Sequence, residues 1–241
     1  MKIMEHISED RLNILKNIPT QTIIDALWVM GWPSSYVEGA RPLQLGQNMS
    51  GRAVTLRFVP HRPDLASDKP KRQESAEYIA IELCGPNEVL VVDAMGWKYS
   101  SIGGDIKFFR MKQLKAGGLV TDGAVRDTLA LKEYGFPVYS QGATAKQGPA
   151  DFWPWEVNGA IQCGGVLVRS GDAIVGDDDG VVVVPKTAVT EIIAIAHQRE
   201  EVEEIIKAQL DSENCSPGKY YPFNDATWDL YEAKTGKKRP T

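Results

Sequence analysis

The sequence predicts a layered α/β domain, and three observations support that prediction. From Glu88 onward, apolar strand patterns alternate with helix patterns, which implies crossover connections between parallel strands. An amphipathic helix and a strand rich in branched residues precede this region, and short apolar runs joined by tight turns follow it. With 241 residues, of which 43% are hydrophobic, the chain is long enough to bury a sizeable core.

The first elements are predicted from periodicity and capping. The stretch "TQTIIDALWVMG" has Thr20 as a candidate N-cap, apolar residues at helical spacing and Gly31 as a stop, and therefore indicates a helix. The run "GRAVTLRFV" indicates a strand. Residues 60–74 mix proline with charge and indicate an exposed loop or an insertion. From Glu88 the predicted elements are the strand "EVLVVDA", the helix "DIKFFRMKQLKAG", the strand "GLVTDG", the helix "DTLALKEYG" and the strand "PVYSQG".

A β-rich stretch follows at residues 164–185. In "GGVLVRSGDAIVGDDDGVVVVP", three short apolar runs are separated by Ser-Gly-Asp and Asp-Asp-Asp-Gly, which is typical of tight β connections. The acidic turn lacks EF-hand spacing, because Val175 stands at the first ligand position, so we interpret it as a β-turn. A helix is predicted from Lys186 to about Leu210. We expect the "DFWPWE" motif to pack a loop, with a pocket lid as the alternative. We expect the aromatic tail to wrap the domain or to reach a neighbouring subunit.

Composition excludes several classes of partner. The formal net charge of −5 argues against broad binding to nucleic acid, which needs clustered Lys and Arg. No window approaches the eighteen consecutive apolar residues of a membrane helix, and the start has no secretory-signal pattern. Three widely spaced cysteines fit a reducing compartment and give no zinc spacing. We therefore expect a cytoplasmic protein that binds neither nucleic acid nor membrane.

The segment "SSIGGDIKFF" is the first candidate binding site. It places Gly104 and Asp105 where a loop turns into a predicted helix. Amides at a helix start carry partial positive charge, and glycine lets a small anion approach the backbone closely. A carboxylate or phosphate would then bind the amides of Asp105, Ile106 and Lys107. The alternative is that Asp105 only caps its helix and that the glycines form a turn.

The segment "GGLVTDGAVRDT" raises the same choice at Arg126 and Asp127, which by themselves favour a surface salt bridge and an N-cap. Both segments, however, lie on the same side of a parallel layer, where ligands of α/β proteins bind. A hard cation such as Mg²⁺ or Mn²⁺ needs only one or two carboxylates, so Asp127 would bind it directly and Asp105 through a water. Arg126 would hold an anionic oxygen beside it, and such a set suits the stabilisation of an enolate. Asp122 gains no role and is interpreted as structural.

The run "GGLVTDGAVRDTLALKEYGFPVYSQG", with the β-rich stretch that follows it, resembles a known family over roughly residues 20–190. That family contains the regulator of ribonuclease E activity A and the class II pyruvate aldolases that act on 4-hydroxy-4-methyl-2-oxoglutarate and 4-carboxy-4-hydroxy-2-oxoadipate. The resemblance implies an α/β/α sandwich related to the swivelling β/β/α domain. Residues 1–241 would form one such domain, with a long C-terminal helix and aromatic tail over about 186–241. It also implies a homotrimer or homohexamer with sites at subunit boundaries.

Membership of that family leaves enzyme and non-enzyme open, because it includes a non-catalytic binder. The aldolases are marked by an aspartate, twenty intervening residues and then Arg-Asp, and Asp105 stands at that spacing from Arg126 and Asp127. The regulator is similar in fold but lacks the first aspartate of this pattern, the one at the position of Asp105. The spacing in this chain therefore favours an enzyme. The alternatives are a protein-binding regulator of the ribonuclease E inhibitor type and a decarboxylase without useful aldolase activity.

The resemblance also implies roles for these residues. Asp127 would be the metal ligand, and Asp105 would hold a water of the metal, which is the candidate base for the 4-hydroxyl proton. The amides of Gly104 to Lys107 would bind the pyruvoyl carboxylate, and Arg126 the keto oxygen. The implied reaction is retro-aldol cleavage of a 4-hydroxy-2-oxo acid to pyruvate, with oxaloacetate decarboxylation as a side activity.

Two further features bear on the site. In the aldolases a glutamate from a neighbouring subunit's C-terminal helix approaches it, and Glu200 or Glu203 is the candidate here, with a solvated helix face as the alternative. The chain also departs from the family pattern, since Ile106 and Lys107 stand where many relatives have two small aliphatic residues. We expect Lys107, the 60–74 loop, the "DFWPWE" motif and the tail to reshape the far end of the pocket.

Overall fold

The computed structural model describes residues 6–68 and 70–239, so Lys69 of the predicted 60–74 loop and the last two residues of the tail lie outside the described residues. The chain divides into two compact units, one up to Ile192 and the other from Ile193 onward.

The first unit is built on a mixed sheet of eight strands, with two small two-stranded sheets beside it. The order in the large sheet is β1-β6-β4-β3-β2-β11-β12, and β8 also pairs with β2. The strands in chain order are β1 Arg41–Pro42, β2 Met49–Pro60, β3 Glu88–Asp93, β4 Gly118–Thr121, β5 Ala124–Val125, β6 Val138–Ser140, β7 Gly142–Ala143, β8 Phe152–Val157, β9 Ile161–Cys163, β10 Val166–Val168, β11 Ala173–Asp177 and β12 Gly180–Val184.

Strand β2 organises this sheet because it is twelve residues long. One edge pairs in parallel with β3, while the other edge pairs with β11 near its start and with β8 near its end. Strands β3, β4 and β6 are mutually parallel, as expected for strands joined through helices. At the ends of the strand order, β1 contacts β12, so the sheet is nearly closed into a barrel.

The helices follow the predicted alternation. In chain order they are α1 Glu9–Leu15, α2 Thr20–Val29, α3 Ala76–Glu82, α4 Asp105–Leu114, α5 Thr128–Tyr134, α6 Val189–Glu213 and α7 Asp225–Thr235. Helix α6 thus begins three residues later than predicted from Lys186 and continues past Leu210. No described helix is both long enough and apolar enough to span a bilayer.

The two faces of the sheet are covered differently. Successive side chains of a strand point to opposite faces. In β3, Leu90 and Val92 pack with buried residues of α3, α4 and α5, whereas Val89 and Val91 pack with the β9–β10 hairpin. Helices therefore cover one face and a β layer the other. This layering confirms the predicted α/β class with a long C-terminal helix.

Two local predictions were wrong, and a third was confirmed. Pro19, not Thr20, is the N-cap of α2, and the Thr20 amide and hydroxyl instead bind the Asp177 carboxylate at 2.8 and 2.9 Å. The "DFWPWE" motif is strand β8, not a loop, and the ring of the buried Trp153 lies edge-on to His61 with centroids 4.4 Å apart. The acidic turn between β11 and β12 is a hairpin turn, as interpreted.

The aromatic tail contains a helix that the sequence analysis did not predict. Helix α7 begins with a capping box between Asn224 and Thr227, two residues whose side chains and backbone amides bind reciprocally. Within the second unit, the buried Tyr220 and Tyr231 pack with Val202 and Ile206 of α6. The tail therefore has a small apolar core of its own.

Candidate active site at the starts of α4 and α5

The structure brings the two charged segments of the sequence side by side. The Ile102 amide donates to the Ala124 carbonyl at 2.9 Å, and the Arg126 amide donates to the Gly103 carbonyl at 3.1 Å. These backbone bonds align the loop before α4 with the loop before α5. Asp105 and the pair Arg126 and Asp127 consequently line one cleft of about 520 Å³.

The Asp127 side chain turns away from its own helix. Its backbone is left-handed, with φ of 57°, and it makes no capping hydrogen bond to α5. Instead, Oδ2 accepts the backbone amide of Asp105 at 3.0 Å and lies 3.5 Å from Nε of Arg126. Few residues other than glycine adopt this backbone conformation, and such exceptions cluster at functional sites. Asp127 therefore occupies the predicted N-cap position of α5, but its side chain does not cap that helix.

Asp105 does not act as a cap either. Gly104 is the N-cap position of α4, and Asp105 is the first helical residue. The Tyr134 hydroxyl donates to Oδ1 of Asp105. Because this bond to a carboxylate favours the neutral phenol, it raises the pKa of Tyr134 to about 12. Tyr134 thus orients the Asp105 carboxylate through one of its two oxygens.

Tyr134 is a site residue that the sequence analysis missed. It ends α5, and its ring packs against that of Phe109 on α4 with centroids 5.8 Å apart. Lys112 of α4 places Nζ 5.1 Å from the centre of the same ring. Only the packing of α5 on α4 brings the hydroxyl to Asp105, 29 residues away in sequence, so no local pattern would have identified it.

One of the backbone amides predicted to bind a substrate carboxylate already has a partner. The Asp105 amide is bound by Asp127, so an incoming carboxylate would meet the next two amides, those of Ile106 and Lys107. Both belong to the first turn of α4, whose N–H groups have no partner within the helix. Ile106 is 84% exposed, and both residues line the 520 Å³ cleft.

The donor set at the cleft suits a hydrated hard cation. The described residues include no group of three or more His, Cys, Asp or Glu placed to hold a metal. Mg²⁺ usually keeps several waters and needs only one or two carboxylates. The Asp127 side chain is 44% exposed, and Asp105, the first residue of α4, lines the same cleft. These two carboxylates fit such an ion, with water as its remaining ligands.

Arg126 and Asp127 also border a second cleft of about 680 Å³, which extends over the start of α5 and past the exposed Leu129. Glu200 and Glu203 lie on α6 in the second unit, so their approach to a neighbouring site stays a prediction. Asp122 is buried and binds three backbone amides and the Gln162 side chain, which agrees with its structural interpretation.

Known proteins resemble this chain over most of its length. The family described as "RraA-like: Aldolase/RraA" matches residues 20–183. A curated protein of Halalkalibacterium halodurans named "Putative 4-hydroxy-4-methyl-2-oxoglutarate aldolase" is 33% identical over 199 residues, which cover 81% of this chain and 86% of the relative.

Solved structures agree in fold. Streptomyces coelicolor RraAS2, described as an unusual member of the RNase ES inhibitor RraA protein family, has a TM-score of 0.76 at 32% identity, covering 84% of this chain and 98% of that one. An uncharacterized protein of Pseudomonas syringae has a TM-score of 0.77 at 23% identity, covering 89% and 93%, and supports the fold alone.

Proposed function

Because the chain belongs to the RraA-like, Aldolase/RraA family, we propose that it is a divalent-metal-dependent lyase that cleaves a 4-hydroxy-2-oxo acid to pyruvate through an enolate. Oxaloacetate decarboxylation, which passes through the same enolate, is the expected side activity. One observation carries the proposal: the Asp127 carboxylate crosses to the α4 amide of Asp105 and keeps Arg126 beside it in one cleft.

Each site residue has a role in this reaction. A bound Mg²⁺ or Mn²⁺ would supply a Lewis acid for the 2-keto group. Asp127 would hold the cation, and the free amides of α4 would hold the substrate carboxylate. Arg126 would offer its guanidinium to the oxygen on which enolate charge develops, a contribution of about 3 kcal/mol for one well-placed donor. Asp105, oriented by Tyr134, would accept the 4-hydroxyl proton through a water.

A non-catalytic regulator is the second candidate function. The similarity to a member of the RNase ES inhibitor family, at 32% identity, favours it. This alternative gives no role to a metal or to Asp105. A decarboxylase without aldolase activity is a third possibility, and it uses the same residues as the lyase.

Metal dependence distinguishes the lyase from the regulator. Purified protein with Mg²⁺ or Mn²⁺ should release pyruvate from 4-hydroxy-2-oxo acids and from oxaloacetate, as measured in a coupled dehydrogenase assay. Excess chelator should abolish the release, and added metal should restore it. Release from oxaloacetate alone would assign the decarboxylase, whereas metal-independent release or none at all would contradict the lyase.

Arg126→Ala tests the enolate role. We expect turnover to fall by about 100-fold to 1,000-fold, as when one oxyanion donor is removed, with little change in thermal stability because the side chain is 43% exposed. Arg110→Ala is the matched control, because it removes an arginine of α4 that pairs with Glu82. Equal activity of the two variants would remove Arg126 from the mechanism.

We further propose that the protein acts in the cytoplasm as a homotrimer or homohexamer, with a small 2-oxo acid as its partner and without binding nucleic acid or membrane. The family resemblance and the formal net charge of −5 support this proposal.

A further inference from the structure

The first unit contains a separate cavity of about 500 Å³ at the loop that follows α2. Its lining comes from that loop, from the β9–β10 hairpin, and from residues next to β11 and at the end of β12. None of its described lining residues lines the cleft that contains Arg126 and Asp127. The proposed lyase reaction therefore leaves this cavity without a role.

Backbone hydrogen bonds fix the walls of this cavity. The Val183 amide of β12 donates to the Ser35 carbonyl at 2.9 Å, and the Glu38 amide donates to the Gly164 carbonyl at 3.0 Å. These bonds hold the segment after α2 against both β12 and the β9–β10 hairpin. Because Ser35 and Val183 are buried as well as lining the cavity, part of its surface belongs to the protein interior.

Much of the lining is apolar. The apolar lining residues are Trp32, Pro33, Val166, Leu167, Val183 and Pro185. Trp32 is 37% exposed and Leu167 66%, so an apolar ligand would remove apolar surface from water here. A cavity of this size with apolar walls and a few polar groups is the usual form of a small-molecule site.

The charges at the cavity favour an anionic ligand. Among the described lining residues, Arg169 and Lys186 are the cations and Asp172 is the acid. Oδ2 of Asp172 already accepts the Arg169 amide at 2.9 Å, and Oδ1 accepts the Lys186 amide at 3.1 Å. Burial raises the pKa of Asp172, and the positive charges of Lys186 and Arg169 act against that rise, so both cations lie near this carboxylate.

Arg169 is the group at the cavity with donors to spare. Its guanidinium makes no hydrogen bond or ion pair with another residue in the part of the chain that the structure describes. A guanidinium presents a planar fork of donors that matches a carboxylate. An incoming carboxylate would therefore find a partner beside the apolar walls.

We propose that this cavity binds a small carboxylic acid with an apolar body, whose carboxylate pairs with Arg169 and whose body packs against Trp32 and Val166. Both parts of such a ligand are needed. An uncharged apolar molecule leaves the guanidinium without a partner, whereas a charged molecule without an apolar body buries no apolar surface.

Three probes test the proposal by titration calorimetry on the full chain, without added divalent metal and at physiological ionic strength. Phenylacetate has both parts, phenylacetamide lacks the charge, and acetate lacks the ring. One phenylacetate should bind per chain, with a dissociation constant at least about five-fold lower than that of phenylacetamide, the factor expected of one charge-assisted hydrogen bond at a partly exposed site. Acetate should give no saturable binding.

Variants assign the binding to this cavity. Arg169→Met should raise the dissociation constant of phenylacetate at least about five-fold and leave that of phenylacetamide unchanged. Arg110→Met, which removes an arginine outside the lining, is its control. Trp32→Ala should weaken both ligands, and Trp28→Ala, at a 78% exposed tryptophan outside the described lining, should weaken neither. Thermal unfolding of each variant checks that it is folded.

Several outcomes would overturn the proposal. Absence of saturable phenylacetate binding, or equal binding of phenylacetamide, contradicts it. Loss of binding in Arg126→Ala but not in Arg169→Met would place the acid in the cleft at the starts of α4 and α5. Binding that weakens as the concentration of the chain rises would assign the cavity to a second copy of the chain. None of these measurements depends on pyruvate release, so a failure of the proposed function leaves this test intact.

Discussion

Gly104 lies at the closest approach between the start of α4 and the Arg126–Asp127 pair. A Cβ atom at this position would lie 2.2 Å from Oδ2 of Asp127 and 2.6 Å from Cγ of Arg126. Its φ of −157° is ordinary extended backbone, so conformational freedom does not require glycine here. Glycine is needed because any side chain would displace the carboxylate from the Asp105 amide.

Gly104→Ala should therefore reduce activity more than stability. Displacing Asp127 and Arg126 by about 1 Å is expected to lower kcat/KM for pyruvate release by about 100-fold. Gly142→Ala is a suitable control, because a Cβ there meets nothing within 4 Å. Steady-state kinetics and thermal unfolding of both variants would measure the effect. Unimpaired kcat/KM in the Gly104→Ala variant would show that the contact between Asp127 and the Asp105 amide is dispensable.

At the scale of elements, the carboxyl ends of β3 and β4 are joined by buried aspartates. Asp122 follows β4 directly; its Oδ1 accepts the Ala94 amide at 2.7 Å, and its Oδ2 accepts the Gly96 and Gly164 amides at 3.0 and 3.3 Å. It thereby ties the loop after β3, which leads to α4, to the turn of the β9–β10 hairpin.

Asp122→Asn should destabilise the fold by about 2 kcal/mol, because the new amide group faces backbone donors that both carboxylate oxygens now satisfy. Asp93→Asn is the comparison. Oδ1 of Asp93 accepts bonds from the Met95 amide and the Gln162 side chain, and an asparagine oxygen can accept both. The two variants can be compared by urea unfolding at neutral and acidic pH.

The pH dependence of stability should also differ between the Asp122→Asn and Asp93→Asn variants. Burial raises the pKa of Asp93, so the folded protein binds its proton more readily than the unfolded chain does. Ionisation of Asp93 therefore lowers stability as the pH rises from the unfolded pKa through the folded one. Asp93→Asn should remove that loss and flatten the pH dependence. Equal destabilisation by both variants at neutral pH would contradict these assignments.

At the scale of the whole molecule, the first unit exposes several large apolar side chains. Trp28 is 78% exposed, Val29 61% and Leu129 79%, and Leu129 lines the second cleft, of about 680 Å³, which Arg126 and Asp127 also border. Exposed apolar groups next to a site are common where protein surfaces meet. They agree with the proposed assembly, in which the sites lie at subunit boundaries.

Size-exclusion chromatography with light scattering tests this assembly. The expected mass is three or six times that of one chain, and it should not change on dilution through the micromolar range used in the assays. A mass equal to one chain would contradict an assembly that completes the site, and activity measured on that monomeric fraction would show whether one chain is sufficient.

Much of the fold and part of the site were predictable from the sequence because the signals are local. Strand and helix periods predicted the α/β alternation, and the acid and Arg-Asp spacing identified Asp105, Arg126 and Asp127 as candidate site residues. The helix of the tail was missed although its capping pair, Asn224 and Thr227, was visible in the sequence. The "DFWPWE" strand was missed because its pairing with β2 is a long-range contact.

By itself, the sequence determined the alternation of strands and helices after Glu88, the family and the residues that could carry chemistry. Only the tertiary structure decided what those side chains do: Asp127 binds the Asp105 amide rather than its own helix, Tyr134 orients Asp105, and Glu77 neutralises Lys107. The partners in these contacts are 22 to 30 residues apart in sequence. Periodicity and capping act within a few residues, whereas these contacts exist only after α3, α4 and α5 have packed on one face of the sheet.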